Sequence, residues 1–345
     1  MLAGSPRPAR VSLENLPAIS VPLPWQAEAW SRWQAQLAAD QLPHALLVSG
    51  PEGVGKQRLA VALSRWLLCH APRNAANCGE CPACRHSRAG SHGDWLWVGP
   101  SGKGQVIRVD QIREVIAFAW RTAGFGRRKV ITLVPADRMN TAAANALLKC
   151  LEEPAEDTFL ILVTDRLHAL PATVRSRCQR LSLPLPEAGQ ALDWLDPLTG
   201  QRERSQALLD LAAGRPLRAE ALFRSDAAEA LGARRTLLAD YLQGRARLPQ
   251  VAAALGERPL LEALDEIEAL LLSQLRGASR EQLRGGGRDW LRVLDELAAL
   301  RRSAVAGANP NPQLALESLL VPLERSFLGG EGGATMKRSS IGGSP

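Results

Sequence analysis

The chain has 345 residues, of which 46% are hydrophobic, enough for two or three domains with real cores. Lys and Arg outnumber Asp and Glu by 42 to 35, a formal net charge of +7 spread along the chain; this fits work near nucleic acid without requiring it. No apolar run reaches the length of a membrane helix, and MLAGSPRPARVSLENLPAIS at the N-terminus has no apolar core of the signal-peptide kind, so a cytoplasmic protein is expected.

Residues 1–20 read as a loose leader. Residues 25–42, WQAEAWSRWQAQLAADQL, carry helical apolar spacing. A short apolar strand, HALLVSG from His44, runs into a glycine-rich turn and a second amphipathic helix, KQRLAVALSRWLLC. A helix near Asp110 leads to a strand over Lys129–Val134. Asn140 is placed to cap a helix over Thr141–Glu153, which Pro154 ends, and a strand follows over Thr158–Thr164. This alternation predicts an α/β domain with a parallel sheet. After about Pro186 only helical Leu and Ala spacing remains, with breaks expected at Gly214-Arg-Pro216 and at the triple glycine Gly285–Gly287. The glycine-rich stretch from Gly329 is expected to be disordered.

Gly50-Pro-Glu-Gly53-Val-Gly55-Lys56 has the glycine spacing and lysine of a phosphate-binding loop, between a strand and a helix. Backbone N–H groups at such a helix start can cradle phosphates, and Lys56 can reach the terminal ones. The next position should carry a hydroxyl to hold magnesium, but it is Gln57. The strand VITLV should end in an acidic pair; it runs instead into Val134-Pro135-Ala136, and the nearest acid is Asp137. An inherited nucleotide fold whose loop is now structural is expected, with ATP binding weak or absent.

Cys69, Cys78, Cys81 and Cys84 cluster after the loop helix, in a module of about residues 69–93. Four thiolates at this spacing fill a tetrahedral Zn²⁺ shell and leave no open position, so a structural zinc is expected; the plain alternative is four free thiols in a variable loop. His70, His86 and His92 read as ordinary surface residues, Arg127 and Arg128 as solvated charge, and Cys150 and Cys178 as core thiols.

Taken in order, these elements resemble the AAA+ clamp-loader subunits of bacterial DNA polymerase III. Asn145-Ala-Leu-Leu-Lys-Cys-Leu-Glu-Glu-Pro154 is similar to that family's NALLKxLEEP helix, Ser176-Arg177-Cys178 to its SRC motif, and the four-cysteine module to its zinc module. The resemblance places Thr164 as the sensor-1 threonine, sets Gly214-Arg-Pro-Leu-Arg218 where a sensor-2 arginine belongs, and likens Asn311–Glu317 to the closing helix of a collar. It covers roughly residues 20–328 and is most specific over 44–180.

The domains this implies are an AAA+ domain over 21–186, a helical lid over 187–227 and an all-α oligomerisation collar over 228–328. Of two subunit types that share these motifs, one keeps an intact loop and acidic pair and hydrolyses ATP. The other lacks both and keeps the SRC arginine; Gln57 and Val134-Pro135 place this chain with the second. The resemblance then implies a subunit of a DNA-directed DNA polymerase holoenzyme, a nucleotidyltransferase, that assembles with gamma/tau and delta subunits to load the sliding clamp on primed DNA. Arg177, with Ser176 beside it, would act in trans on a neighbour's nucleotide. The alternatives are a hydrolysing gamma/tau-type ATPase and a zinc-stabilised DNA-binding protein without a motor partner.

Overall fold

The computed structural model describes residues 17–328 apart from 102–104, 226, 279, 306–307 and 309. Most of the expected leader and the whole expected disordered tail lie outside the described residues. The chain divides into two compact units, 1–221 and 222–345, so the segment expected as a lid falls almost entirely within the first.

In the first unit, α1 (Ala27–Ala38), β1 (Ala45–Ser49) and α2 (Lys56–Leu68) are followed by α3 (Pro82–Arg88), β2 (Trp95–Val98), α4 (Val109–Ala119) and β3 (Lys129–Leu133). Next come α5 (Thr141–Glu152), β4 (Thr158–Thr164), the single turn α6 (Ala172–Arg175) and β5 (Gln179–Ser182). The five strands form one parallel sheet in the order β2-β3-β4-β1-β5. β1, β3 and β4 are nearly continuous apolar runs because both sheet faces are covered. One face packs Ile112 and Val115 of α4 and Leu147 of α5 over Leu133 and Leu160; the other packs Leu59 and Leu63 of α2 and Trp30 of α1 over Leu46 and Ile161. The Asn140 side chain caps α5 by accepting from Ala143 N at 2.8 Å, as expected.

The edge strands β2 and β5 carry no signal that the sequence reading used. Polar Gln-Arg-Leu-Ser of β5 is mostly exposed and holds its place by backbone pairing to Leu46–Ser49. Then α7 (Ala188–Thr199), α8 (Arg202–Leu211) and α9 (Pro216–Arg224) complete the unit, α9 running across the division.

The second unit is α10 (Ala227–Leu242), α11 (Leu248–Gly256), α12 (Leu260–Gly277), α13 (Arg280–Val305) and α14 (Pro312–Leu328). Its own core joins Tyr241, Leu255, Ile267, Val293, Leu297 and Leu320. The break expected at Gly285–Gly287 does not occur: α13 runs through all three glycines. Each glycine costs a helix about 1 kcal/mol relative to alanine, but burial of Trp290, Val293 and Leu297 farther along α13 outweighs that. Among the described residues no helix is long and apolar enough to cross a membrane.

Candidate nucleotide-like loop, interface arginine and thiol cluster

The glycine loop leaves β1 at the carboxyl edge of the sheet, where β4 also ends, with Ser49 and Thr164 in register. That register brings Asp165 to the loop. Lys56 is only 4% exposed; its Nζ lies 2.6 Å from Asp165 Oδ1 and also donates to the Pro51 carbonyl. The lysine that would meet terminal phosphates is therefore engaged by the chain itself. The loop's glycines are closely approached: a Cβ at Gly50 would lie 2.1 Å from the Leu183 carbonyl oxygen, and one at Gly55 2.3 Å from Leu23 Cδ1. Trp25 Nε1 and Gln26 Nε2 both donate to the Val54 carbonyl, and Leu217 N donates to the Gly53 carbonyl. The latter contact sets the start of α9, with Arg215 and Arg218, against Gly53.

Thr164 is buried, and its Oγ1 donates to Asp137 Oδ1 at 2.8 Å. Arg166 bonds the same carboxylate through Nε. Asp137, the nearest acid after β3, is thus held by a threonine and an arginine. Gln57 is exposed. Sequence reasoning missed Asp165 and Arg166; the available signal was an acid and a base directly after the strand that ends in Thr164.

Arg177 follows α6. Its Nη1 donates to the Thr173 carbonyl at 3.0 Å and its Nη2 lies 2.5 Å from Glu152 Oε1 at the end of α5, with 36% of the side chain exposed. Ser176 Oγ donates to the same Thr173 carbonyl at 3.1 Å. The SRC turn and the LEEP end of α5 are therefore joined by an ion pair at the surface. Cys150 and Cys178 are buried core thiols, as expected, and burial raises both.

Cys69 follows α2 and Cys81 caps α3, so two helix ends and the turn between them bring four thiols together. All four sulfurs lie within 4.8 Å of one another, with separations of 3.9 Å for Cys69–Cys81, 3.9 Å for Cys78–Cys84 and 3.6 Å for Cys84–Cys69. Backbone N–H groups of Cys78, Cys81 and Cys84 donate to Cys69, Cys78 and Cys81 Sγ respectively. N–H donors from Glu80 and Cys81 draw the Cys78 thiol down to about 6, while burial pushes Cys69 and Cys84 up. The cluster can hold a metal ion. His70 and His86 are exposed, but His92 corrects the surface reading. It is 5% exposed, packs on Phe125 at 5.1 Å between ring centroids and accepts from Asp94 N through Nδ1; the loop before β2 turns it inward, and burial lowers its pKa.

A sequence model of the family described as "DNA polymerase III, delta subunit" matches residues 25–187. Among curated proteins, DNA polymerase III subunit delta′ of Pseudomonas aeruginosa is 43% identical over 58% of this chain and 60% of its own length. The delta′ subunit of Escherichia coli is 38% identical over 59% of this chain and 61% of its own. These two alignments span only about 60% of each relative. The delta′ subunit of Yersinia pestis is 32% identical over 82% of this chain and 84% of its own length.

Proposed function

The chain belongs to the delta′ family of DNA polymerase III subunits, and from that premise we propose that it is a clamp-loader subunit that hydrolyses no ATP and acts on its neighbours. It assembles with gamma/tau and delta subunits in the cytoplasm, and the assembly loads the sliding clamp on primed DNA. The observation that carries this reading is Lys56, bound to Asp165 in a loop that Leu23, Gln26 and Leu183 pack against. A working site keeps that lysine for phosphate and a hydroxyl and acid for magnesium; here Gln57 and Val134-Pro135 stand at those places.

The active group is then Arg177. Its guanidinium is always charged and can fork two phosphate oxygens. Presented across an interface, it stabilises charge developing on the phosphoryl group in the neighbour's site, while Ser176 shares the Thr173 carbonyl that sets its turn. To reach that phosphate it must leave Glu152, which costs little because an exposed ion pair contributes about 0–1 kcal/mol. Thr164, tied to Asp137, keeps a sensor-like place, and Gly50, Gly53, Gly55 and Lys56 serve as structure.

The four thiolates hold a structural Zn²⁺. Sulfurs at about 2.3 Å from zinc in a tetrahedron lie about 3.8 Å apart, close to the 3.6–3.9 Å of the Cys69–Cys81, Cys78–Cys84 and Cys84–Cys69 pairs. The ion ties the end of α2 to α3 and leaves no position open for chemistry. Residues 187–227 form the lid and 228–328 the collar.

The test mixes the purified chain with gamma/tau and delta subunits and follows co-elution, then measures ATP turnover of the chain alone. Co-elution with no turnover is expected. Turnover that disappears in Lys56→Ala would favour the hydrolysing type, and failure to enter the complex would favour the zinc-stabilised DNA-binding protein.

A further inference from the structure

Arg65 is a buried cation, 1% exposed, in the third turn of α2. Its guanidinium donates to the Pro17 carbonyl at 2.9 Å, the Ala18 carbonyl at 2.6 Å, Ser20 Oγ at 2.6 Å and Ser87 Oγ at 3.3 Å. Among the described residues no carboxylate pairs with it. A buried charge without a counter-charge is expensive, and carbonyls and hydroxyls satisfy its N–H groups without neutralising it. Ser87 Oγ, which accepts from Arg65, donates in turn to the Cys84 carbonyl at 3.0 Å, so the guanidinium is joined to the turn of α3 that carries a thiol.

Asn77 links the same parts from the other side. Its Nδ2 donates to Cys84 Sγ at 3.5 Å and to the Ala18 carbonyl at 3.0 Å, while its Oδ1 accepts from Ser20 N at 2.8 Å. Gly79, within the knuckle, lies against Ile19. The segment Pro17–Ser20 therefore lies on the thiol cluster through two side chains, and five and six residues later Trp25 and Gln26 seal Val54 of the glycine loop.

We propose that Arg65 and Asn77 are outer-shell partners of the metal's thiolates, and that metal binding is what fixes the strap Pro17–Ser20 on the domain. The inference rests on the zinc reading above. Four thiolates around Zn²⁺ carry two net negative charges; Arg65 offsets part of that charge, and Asn77 donates to a coordinating sulfur, as outer-shell groups do at metal sites. Without the ion, Asn77 loses the coordinated sulfur it donates to, and the strap that Asn77 and Arg65 hold together is released.

The test uses the full chain loaded with zinc, with two readouts: competition against a colorimetric chelator, and hydrogen exchange followed by mass spectrometry on peptides covering residues 17–23. Asn77→Ala and Arg65→Met should each weaken zinc binding by about 10- to 100-fold. Stripping zinc from the wild type should speed exchange in the strap on the order of tenfold or more, while α5 and β4 amides stay protected. Arg65→Lys keeps the charge but loses the fork; it should hold zinc nearly as well as wild type and still exchange faster in the strap. The inference is overturned if both Asn77→Ala and Arg65→Met bind zinc as tightly as wild type. It is equally overturned if zinc removal leaves strap exchange unchanged. A chain that takes up no zinc would overturn the zinc reading as well, which separates the two failures.

Discussion

Arg177 stands at the surface with its guanidinium shared between Glu152 and the Thr173 carbonyl, so its removal should leave the core untouched. Arg177→Ala is expected to fold, keep its metal and assemble, and to show its loss only in the complete loader as slower ATP turnover with DNA and clamp present. Trans-acting arginines are worth roughly 10³–10⁵ in rate; the measured loss should be smaller because other sites in the ring keep theirs. Arg177→Lys should rescue little, since an ammonium lacks the planar fork. Equal turnover by wild-type and Arg177→Ala complexes would reduce Arg177 to a surface residue. If the thiol cluster holds zinc as proposed, Cys81→Ser removes one of its four ligands, and elemental analysis should then find about one zinc fewer per chain; a native protein that folds without metal would refute the site. Lys56 and the four cysteines stand out in the sequence because their chemistry fixes residue type and spacing, whereas Arg177 stands out only through the resemblance of its SRC motif. Asp165, Arg65 and Asn77 do not, because each gains its role from contacts formed by folding: sheet register brings Asp165 to Lys56, and segments 45 to 59 residues apart in sequence meet at Arg65 and Asn77.

At the scale of single elements, legibility follows burial. The central strands β1, β3 and β4 read directly as apolar runs, whereas β5 reads as polar sequence because its side chains face solvent and only its backbone belongs to the sheet. The α13 helix misleads in the opposite sense, since three glycines signal a break that tertiary packing of Trp290, Val293 and Leu297 overrides. Where local chemistry alone decides a boundary, the sequence suffices, as at the start of α5. Asn140 accepts from Ala143 N while its own N–H is held by the Ile107 carbonyl, so its backbone is fixed independently of the cap. Asn140→Ala should therefore cost about 1 kcal/mol, and Asn140→Ser should recover most of it. The measurement is the urea midpoint of the first unit's transition; an unchanged midpoint for Asn140→Ala would mean the cap contributes nothing to α5.

For the whole molecule, the two units rest on separate cores, one on either side of a parallel sheet and one among five helices. The second unit also contains its own half-buried ion pair: Arg234 bonds Glu266 through two N–H groups, at 3.0 and 2.8 Å. Tyr241 is fully buried with its hydroxyl on Glu324 and the Leu320 carbonyl. Each of these groups is satisfied within the second unit itself. A chain ended at Ser225 keeps α9 whole and, with it, the Leu217 bond to Gly53 and the Arg58–Glu220 ion pair at 2.6 Å. It should fold, hold zinc and show the thermal transition of the first unit. If residues 228–328 are the collar, that truncated chain should stay out of the complex, and size-exclusion chromatography with gamma/tau and delta subunits should find it eluting alone. Addition of the isolated helical unit in excess should then compete the full-length chain out of the assembly. Co-elution of the truncated chain at full-length stoichiometry would assign assembly to the first unit instead and leave the five helices without the role proposed for them.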